Sequence, residues 1–218
     1  PPASALSASK TGPAATLGAS SSAAAARNRR PWIVIVLGLL LAIAAIVALI
    51  NIFSASTPAA APAVGPVTIA KIADFDPKAD GGSGAENSKL AKRAIDSKPD
   101  TAWTTERYRK LAALGGLKPG VGLLLDLGET HRVTSVSLTL QGAPTSIEIR
   151  VPVTAADTAP MRSVSQWRKL AATDEGQGTF TIDFPAERTQ FVLVYLTSLP
   201  PVGDGYFRGA VAEVSVIG

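Results

Sequence analysis

The sequence of 218 residues contains no cysteine and a single histidine. Without cysteine the chain has neither a disulfide framework nor a thiolate zinc site, so a folded domain must be stabilised by its own apolar core. One histidine and no cysteine leave few groups for nucleophilic or general acid–base catalysis. The sequence therefore predicts a protein that is not an enzyme.

Charge is absent from residues 32–53, an almost wholly apolar run of 22 residues. As a helix this run would extend about 33 Å, enough for a hydrocarbon core of about 30 Å. Four basic residues and no acidic residue precede it, and the next charge is Lys71. By the positive-inside rule the N-terminus is cytoplasmic and the C-terminal part extracytoplasmic. The run thus predicts one transmembrane helix, with the cell membrane as the location and the lipid bilayer as a partner.

The basic excess of the chain belongs to its N-terminal end. The formal net charge is +4, from 21 Lys and Arg against 17 Asp and Glu. Removing the four basic residues before position 32 leaves 17 basic residues against the same 17 acidic ones. The part beyond the apolar run is therefore neutral, and we expect no nucleic-acid partner.

Composition divides the chain into four parts. Residues 1–31 are rich in Ala, Ser and Pro with no aromatic residue, which predicts a disordered cytoplasmic tether. After the helix at 32–53, residues 54–66 form a proline-rich extracytoplasmic linker. Residues 67–218 are enough for one ordinary domain. Because the chain begins with proline rather than methionine, we expect a larger N-terminal portion to precede it.

Beyond residue 66 the apolar residues follow the two-residue period of strands. Some segments alternate apolar with polar residues, as strands with one buried face do, and others are apolar on both faces, as central strands are. The one predicted helix is short, residues 88–94, with Asn87 or Ser88 as its N-cap. Many strands and little helix favour an all-β fold, an antiparallel sandwich or jelly roll. The alternating segments are 136–140, 147–151, 180–184 and 209–217, and the doubly apolar ones are 121–127 and 191–196.

Residues 94–105 carry the most specific pattern outside the apolar run: a short helix, an aspartate turn, Thr101, one residue and Trp103. The segment 123–128, Leu-Leu-Leu-Asp-Leu-Gly, and then Ala-Glu-Val at 212–214 follow in order. This order resembles that of discoidin domains, also called coagulation factor V/VIII type C domains. The resemblance implies a galactose-binding-like jelly-roll β-sandwich whose loops at one end bind glycans, lipids or proteins, mostly without enzymatic activity.

The same resemblance implies a structural calcium ion, held by Asp96, Thr101 and Glu213 together with backbone carbonyls. Carboxylate and hydroxyl oxygens are the hard ligands that calcium prefers. Two residues depart from the family pattern: Ser97 replaces the usual glycine, and Lys98 replaces an asparagine or aspartate. Calcium therefore remains one of two hypotheses for this turn.

The competing hypothesis gives these residues structural roles. Asp96 and Asp100 can accept hydrogen bonds within their own turn. Trp103 could stack on a sugar, but a large aromatic residue after a turn usually packs into the core, as it does in discoidin domains. Trp167, between Gln166 and Arg168, fits either role.

Two segments combine aromatic residues with arginine and are the candidate ligand-binding loops. They are residues 106–109, Glu-Arg-Tyr-Arg, and residues 206–208, Tyr-Phe-Arg. Tyrosine rings stack on sugars, and guanidinium groups grip carboxylates or phosphates. Alternatively, the aromatic residues pin solvated loops to the edge of the sandwich. The predicted ligand-binding residues are Arg107, Tyr108, Tyr206 and Arg208.

The order of tether, apolar run and outer domain, with Asp-Phe-Asp-Pro at 74–77 and Gly-Tyr-Phe-Arg-Gly at 205–209, resembles the C-terminal part of the actinobacterial MviN family. These proteins are similar to lipid II flippases and contain a pseudokinase-like region. The resemblance implies a membrane-anchored domain in peptidoglycan biosynthesis that recognises cell-wall glycan or a peptidoglycan precursor. The alternative is a structural or protein-interaction ectodomain with an outer-surface protein partner and no sugar recognition.

Overall fold

The computed structural model describes residues 31–54 and 64–218. The predicted tether at 1–31 and linker at 54–66 lie largely outside these residues. The chain divides into two compact units, at 1–59 and 60–218. Each is described by itself below.

The described residues of the first unit form a helix, α1, which spans Pro31–Ser54. It coincides with the uncharged run, and the side chains described in it, at 32 and 35–50, are exposed. Counting only the residues that the structure describes, none of the helices combines the length and the apolarity needed to cross a membrane. The transmembrane helix predicted at 32–53 is therefore not confirmed.

The second unit is built from ten antiparallel strands joined by turns and short 3-10 helices. The strands are β1 Pro66–Val67, β2 Lys71–Phe75, β3 Trp103–Thr104, β4 Tyr108–Arg109, β5 Val121–Leu140, β6 Thr145–Pro152, β7 Trp167–Gly176, β8 Thr179–Ser198, β9 Tyr206–Phe207 and β10 Ala210–Ile217. The 3-10 helices are Lys78–Asp80, Ser88–Ile95, Leu114–Gly116 and Val164–Gln166.

Two long strands, β5 and β8, run through both layers of a sandwich. The first half of β5 pairs with β2 and with the second half of β8, which also pairs with β6. The second half of β5 pairs with the first half of β8 and with β10. Between the halves the register shifts, with Asp126 opposite Phe191 but His131 opposite Thr189. Such a bulge bends a strand, and here it separates the two halves of the paired strands β5 and β8.

The apolar core lies between the two layers. Leu123 and Leu125 from one layer join Val136, Leu138 and residues of β10 from the other in a single buried cluster. The predicted alternation in 136–140, 147–151 and 180–184 matches the burial pattern of β5, β6 and β8. The structure therefore confirms the prediction of an all-β sandwich.

The doubly apolar segments are central strands, as predicted, because a second buried cluster covers their outer face. Leu124, Phe191, Leu193 and Tyr195 pack there against Phe75 and Trp167. Trp167 is 2% exposed and its indole N–H donates to the Pro160 carbonyl at 2.8 Å. Trp167 is thus a structural residue.

The predicted helix at 88–94 is a 3-10 helix, Ser88–Ile95, and the expected cap is wrong. Asn87 adopts a left-handed conformation, with φ of 55°, and makes no side-chain cap. Its amide instead donates to the Thr104 carbonyl at 2.9 Å. The Asn87 side chain therefore makes a tertiary hydrogen bond instead of the helix cap that its local sequence favours.

We expect Trp103→Ala to destabilise the domain by about 3–5 kcal/mol. Trp103 is fully buried, as predicted, and its indole N–H donates to the Glu86 carbonyl at 2.8 Å. The substitution removes the core packing and leaves that carbonyl unpaired. Urea unfolding of the full chain measures the effect.

The control is Leu117→Ala, because this leucine is 71% exposed. It should change stability by no more than about 0.5 kcal/mol. A loss for Trp103→Ala as small as that of the control would contradict the core assignment.

Candidate functional site

The two predicted ligand-binding loops meet in the structure. Strands β4 and β9 pair with each other, with Tyr108 opposite Phe207 and Arg109 opposite Tyr206. A further hydrogen bond joins the same loops, from the Lys110 amide to the Gly205 carbonyl at 3.1 Å. Residues that are about 100 positions apart in sequence therefore form one surface.

Arginine side chains cover the ring of Tyr206 at this surface. The guanidinium carbon of Arg107 lies 4.3 Å from the ring centroid, and that of Arg109 lies 5.1 Å from it. Both arginines are exposed. Within the described part of the chain neither forms an ion pair with an acidic residue. We call Arg107, Arg109 and Tyr206 the guanidinium cluster.

Arg109 was missed by the site prediction although it lies in the predicted loop. The spacing of the two arginines could have identified it. Arg107 and Arg109 are two residues apart in an extended segment, so their side chains point to the same side. The pairing of β4 with β9 then sets Arg109 directly opposite Tyr206.

Tyr108 does not fit its predicted role, because its side chain points inward. It is 6% exposed, and its hydroxyl donates to Glu86 Oε1 at 2.8 Å. Burial, together with this hydrogen bond, raises the pKa of Tyr108 well above its usual range. A neighbour of Arg107 in an extended segment must point to the opposite side, which is here the core.

Arg208 is held within the domain through part of its guanidinium group. Its Nε donates to the Thr105 carbonyl at 3.0 Å, and its Nη2 donates to the Thr104 hydroxyl at 2.6 Å. Arg208 therefore fastens the end of β3, and its role in ligand binding stays a prediction.

Beneath the guanidinium cluster lies a buried set of charges that the sequence analysis did not identify. The ammonium group of Lys118 lies 2.6 Å from Asp76 Oδ1 and 3.0 Å from Glu86 Oε2. All three side chains are at most 6% exposed. We call these residues the buried ion triad. No local pattern reveals it, since its members are separated by 10 and 32 residues.

Each carboxylate of the buried ion triad also accepts uncharged hydrogen bonds. Ser83 donates to Asp76 Oδ2 through both its amide, at 2.8 Å, and its hydroxyl. The amide of Glu106 donates to Glu86 Oε1 at 2.7 Å, beside the Tyr108 hydroxyl. Every carboxylate oxygen of the triad therefore has a donor, which is the condition for burying charge without a large penalty.

The turn at 96–101 closes on itself through its own side chains. Asp96 accepts the Lys98 amide at 2.9 Å and the Thr101 hydroxyl at 2.8 Å. Ser97 has φ of 61°, the left-handed region that favours glycine. The steric demand of this turn explains why glycine is usual at that position in the family it resembles.

Glu213, the third residue implied for calcium, has a carboxylate oxygen without a hydrogen-bond partner among the described residues. This oxygen, Oε1, is buried. Glu213 lines a cavity of about 360 Å³ with Ser97 and Pro99, whereas Asp96 lines a different cavity with Lys92 and Ile95. Within the part of the chain that the structure describes, no three acidic or histidine side chains converge as metal ligands. A cation beside Glu213 would need hydroxyl or backbone oxygens as further ligands.

Exposed apolar side chains lie in the loop segments that carry the guanidinium cluster. Leu111 is 55% exposed, Leu117 is 71% exposed and Val202 is 46% exposed. Leu111 and Leu117 flank the tight turn at 114–116, and Val202 belongs to the loop before β9. Such residues can offer apolar contacts to a partner.

No protein-family model matches the sequence. Among solved structures, the chain is similar to chitosan-binding module 2 of a chitosanase/glucanase from Paenibacillus sp. IK-5, in complex with chitotriose. The identity is 21%, the TM-score is 0.47, and the match covers 70% of this chain and 98% of that module. The chain is also similar to CpGH89CBM32-5 from Clostridium perfringens, in complex with GalNAc-beta-1,3-galactose, at 20% identity and a TM-score of 0.45, over 70% of this chain and 99% of that one. A third similar structure is the CBM32 of AlyQ in complex with 4,5-unsaturated mannuronic acid, at 12% identity and a TM-score of 0.47, over 70% and 97%.

Proposed function

We propose that the β-sandwich domain binds an acidic cell-wall glycan fragment, or a peptidoglycan precursor, through the guanidinium cluster. The observation that carries the proposal is that two exposed guanidinium groups lie on one tyrosine ring without an acidic partner among the described residues. Two cations held together at a surface favour an anion between them. A carboxylate or phosphate on a sugar has that charge and suits the planar donors of arginine.

The position of the ring changes the role proposed for Tyr206. Arg107 lies over the ring at 4.3 Å from its centroid. A cation–π contact of this kind contributes about 0.5–1 kcal/mol at an exposed site. Tyr206 therefore orders the arginines, and the arginines bind the acidic group of the ligand.

Replacing either Arg107 or Arg109 by alanine should weaken binding of an acidic muropeptide roughly ten- to a hundredfold. Loss of a charge-assisted hydrogen bond costs about 1.5–3 kcal/mol. Isothermal titration of the full chain with the muropeptide measures the affinity. Both arginines are exposed, so the melting temperature should hardly change.

The matched control is Arg188→Ala. It removes the same charge from an exposed position on β8, beside the register shift between β5 and β8. It should leave affinity unchanged. As a second control, the same muropeptide with its carboxylates amidated should bind at least tenfold more weakly. Equal affinity for the acidic and amidated forms would refute recognition through an anion.

A second candidate function is docking of an outer-surface protein without sugar recognition. The exposed Leu111, Leu117 and Val202 favour it, because they lie in the same loop segments as the cluster and offer apolar contacts. The same titrations separate the two candidates. If the wild-type chain binds no wall fragment, and Leu117→Ala weakens binding of a protein partner, the docking function stands.

We also propose a structural calcium ion at the turn of residues 96–101, held by Asp96, Thr101, Glu213 and backbone carbonyls. The unpartnered, buried Oε1 of Glu213 supports the proposal, since a buried carboxylate oxygen needs a donor or a cation. The closed hydrogen bonds of Asp96 support the competing hypothesis of a self-contained turn. When bound, the ion would tie this turn to the last strand.

Calcium should therefore raise the melting temperature of the chain, and excess chelator should lower it. At a concentration one hundred times its dissociation constant, a ligand of the native state adds about 2.7 kcal/mol. Glu213→Gln should abolish the response to calcium, because the neutral amide replaces the charged ligand. Melting curves that coincide with and without chelator, and a chain that contains no metal by elemental analysis, would leave Asp96 as a turn residue.

The cellular location and the role in peptidoglycan assembly are also proposals. The uncharged run at 32–53, the basic residues before it and the resemblance to the MviN family support them. We expect a protease added to intact spheroplasts to digest residues beyond 66 and to spare the N-terminal end. Protection of the domain from the protease would overturn this topology.

A further inference from the structure

We propose that Glu86 is a positioning residue for the guanidinium cluster, and that ligand affinity depends on it although it is buried and cannot touch the ligand. This inference rests on the proposed function of the cluster. It concerns a residue that is 1% exposed and lies 21 positions before Arg107.

Glu86 Oε1 accepts hydrogen bonds from the residues on both sides of Arg107. Glu86 Oε1 accepts the backbone amide of Glu106 at 2.7 Å and the hydroxyl of Tyr108 at 2.8 Å. These two donors belong to the residues immediately before and after Arg107. The same buried atom thus holds the backbone just before Arg107 and the side chain just after it, and the Arg107 guanidinium group lies over Tyr206.

Glu86 itself is held from several directions. Its amide donates to Asp74 on β2, its carbonyl accepts the indole N–H of Trp103, and its Oε2 faces the ammonium group of Lys118. The anchor of the Arg107 segment is therefore part of the rigid core rather than of another loop.

The far end of the same segment is fixed by the same residue. Lys118 follows the tight turn at 114–116, where Gly115 and Gly116 have positive φ. Its ion pair with Glu86 closes the segment of residues 106–118 at the end opposite Arg107. Both ends of the loop that carries Arg107 and Arg109 thus converge on one carboxylate.

The expected consequence is pre-organisation. A loop that is ordered before binding does not lose its conformational entropy when the ligand arrives. Without Glu86 the amide of Glu106 and the hydroxyl of Tyr108 would lose their acceptor and bond to water instead. Arg107 would then no longer be held over the ring of Tyr206. Affinity would then fall even though every group that touches the ligand is still present.

The test compares three substitutions in the full chain, with the acidic muropeptide as the probe. Glu86→Ala removes the acceptor and should lower affinity at least tenfold. Glu86→Gln keeps an oxygen that can accept from Glu106 and Tyr108 but loses the ion pair with Lys118, so it should restore part of the affinity that Glu86→Ala loses. Rescue by the conservative variant is the signature of positioning.

Glu148→Gln is the control for a merely structural effect. It removes a carboxylate charge on β6 from its ion pairs with Arg150 and Lys169, and the described hydrogen bonds of this side chain do not reach residues 106–118. It should lower the melting temperature and leave affinity unchanged. Equal losses of affinity in Glu148→Gln and Glu86→Ala would overturn the inference.

A readout without ligand separates this inference from the proposed function. In the free chain the ring current of Tyr206 shifts the side-chain NMR resonances of Arg107, and Tyr206→Leu identifies that shift. Glu86→Ala should abolish it, and an unchanged shift would refute positioning. If the shift is abolished but the wild type binds no muropeptide, positioning stands and the proposed function fails.

Should Glu86→Ala not fold, Tyr108→Phe provides the same comparison. It keeps the buried ring and deletes one of the two donors to Glu86 Oε1. We expect a reduced Arg107 shift and a severalfold loss of affinity. A wild-type shift together with wild-type affinity in this folded variant would overturn the inference.

Discussion

The ion pairs of one buried ammonium group hold together the end of the sandwich where the candidate site lies. Lys118 joins Asp76, which follows β2, to Glu86, which precedes the 3-10 helix Ser88–Ile95. Removing one partner of a buried ion pair commonly costs about 3–5 kcal/mol, because the remaining charge is left without compensation. The surrounding hydrogen bonds from Ser83, Glu106 and Tyr108 complete the network. Loops that share no strand pairing are thereby fixed to each other through charge.

The same segment of chain places one cation inside the domain and three outside it. Lys118 is buried and paired twice, whereas Arg107, Arg109 and Lys110 are exposed, and no described acidic residue pairs with any of them. The buried charge of Lys118 stabilises the fold because carboxylates compensate it. The exposed guanidinium groups have no such partner among the described residues and remain accessible to an anion. The cation–π contacts with Tyr206 hold the two guanidinium groups together despite their like charge.

The bent strands explain how distant segments reach this surface. Because β5 and β8 each run through both layers, this antiparallel pair supplies the centre of the sandwich, and the other strands of the eight-stranded sheet add on either side of it. The connections at one end then belong to the segments 105–118 and 199–209, which hydrogen bonds join directly, as from the Leu199 amide to the Ala112 carbonyl. A rigid two-layer scaffold with adaptable loops at one end is a common arrangement for binding domains.

The sequence by itself determined the strands β5, β6, β8 and β10, their buried faces and the core position of Trp103, because alternation of apolar and polar residues is a local property with a fixed period. It also drew attention to the loops 106–109 and 206–208, through arginine next to tyrosine. It could not decide which side of a short strand faces solvent, so the buried Tyr108 was named as a candidate site residue and the exposed Arg109 was not. The roles of Asp76, Glu86 and Lys118 were equally beyond it, because a buried charge is recognised only by partners that the fold brings within hydrogen-bond distance. Only the tertiary structure paired β4 with β9 and closed the buried ion triad, since both depend on contacts between residues far apart in the chain.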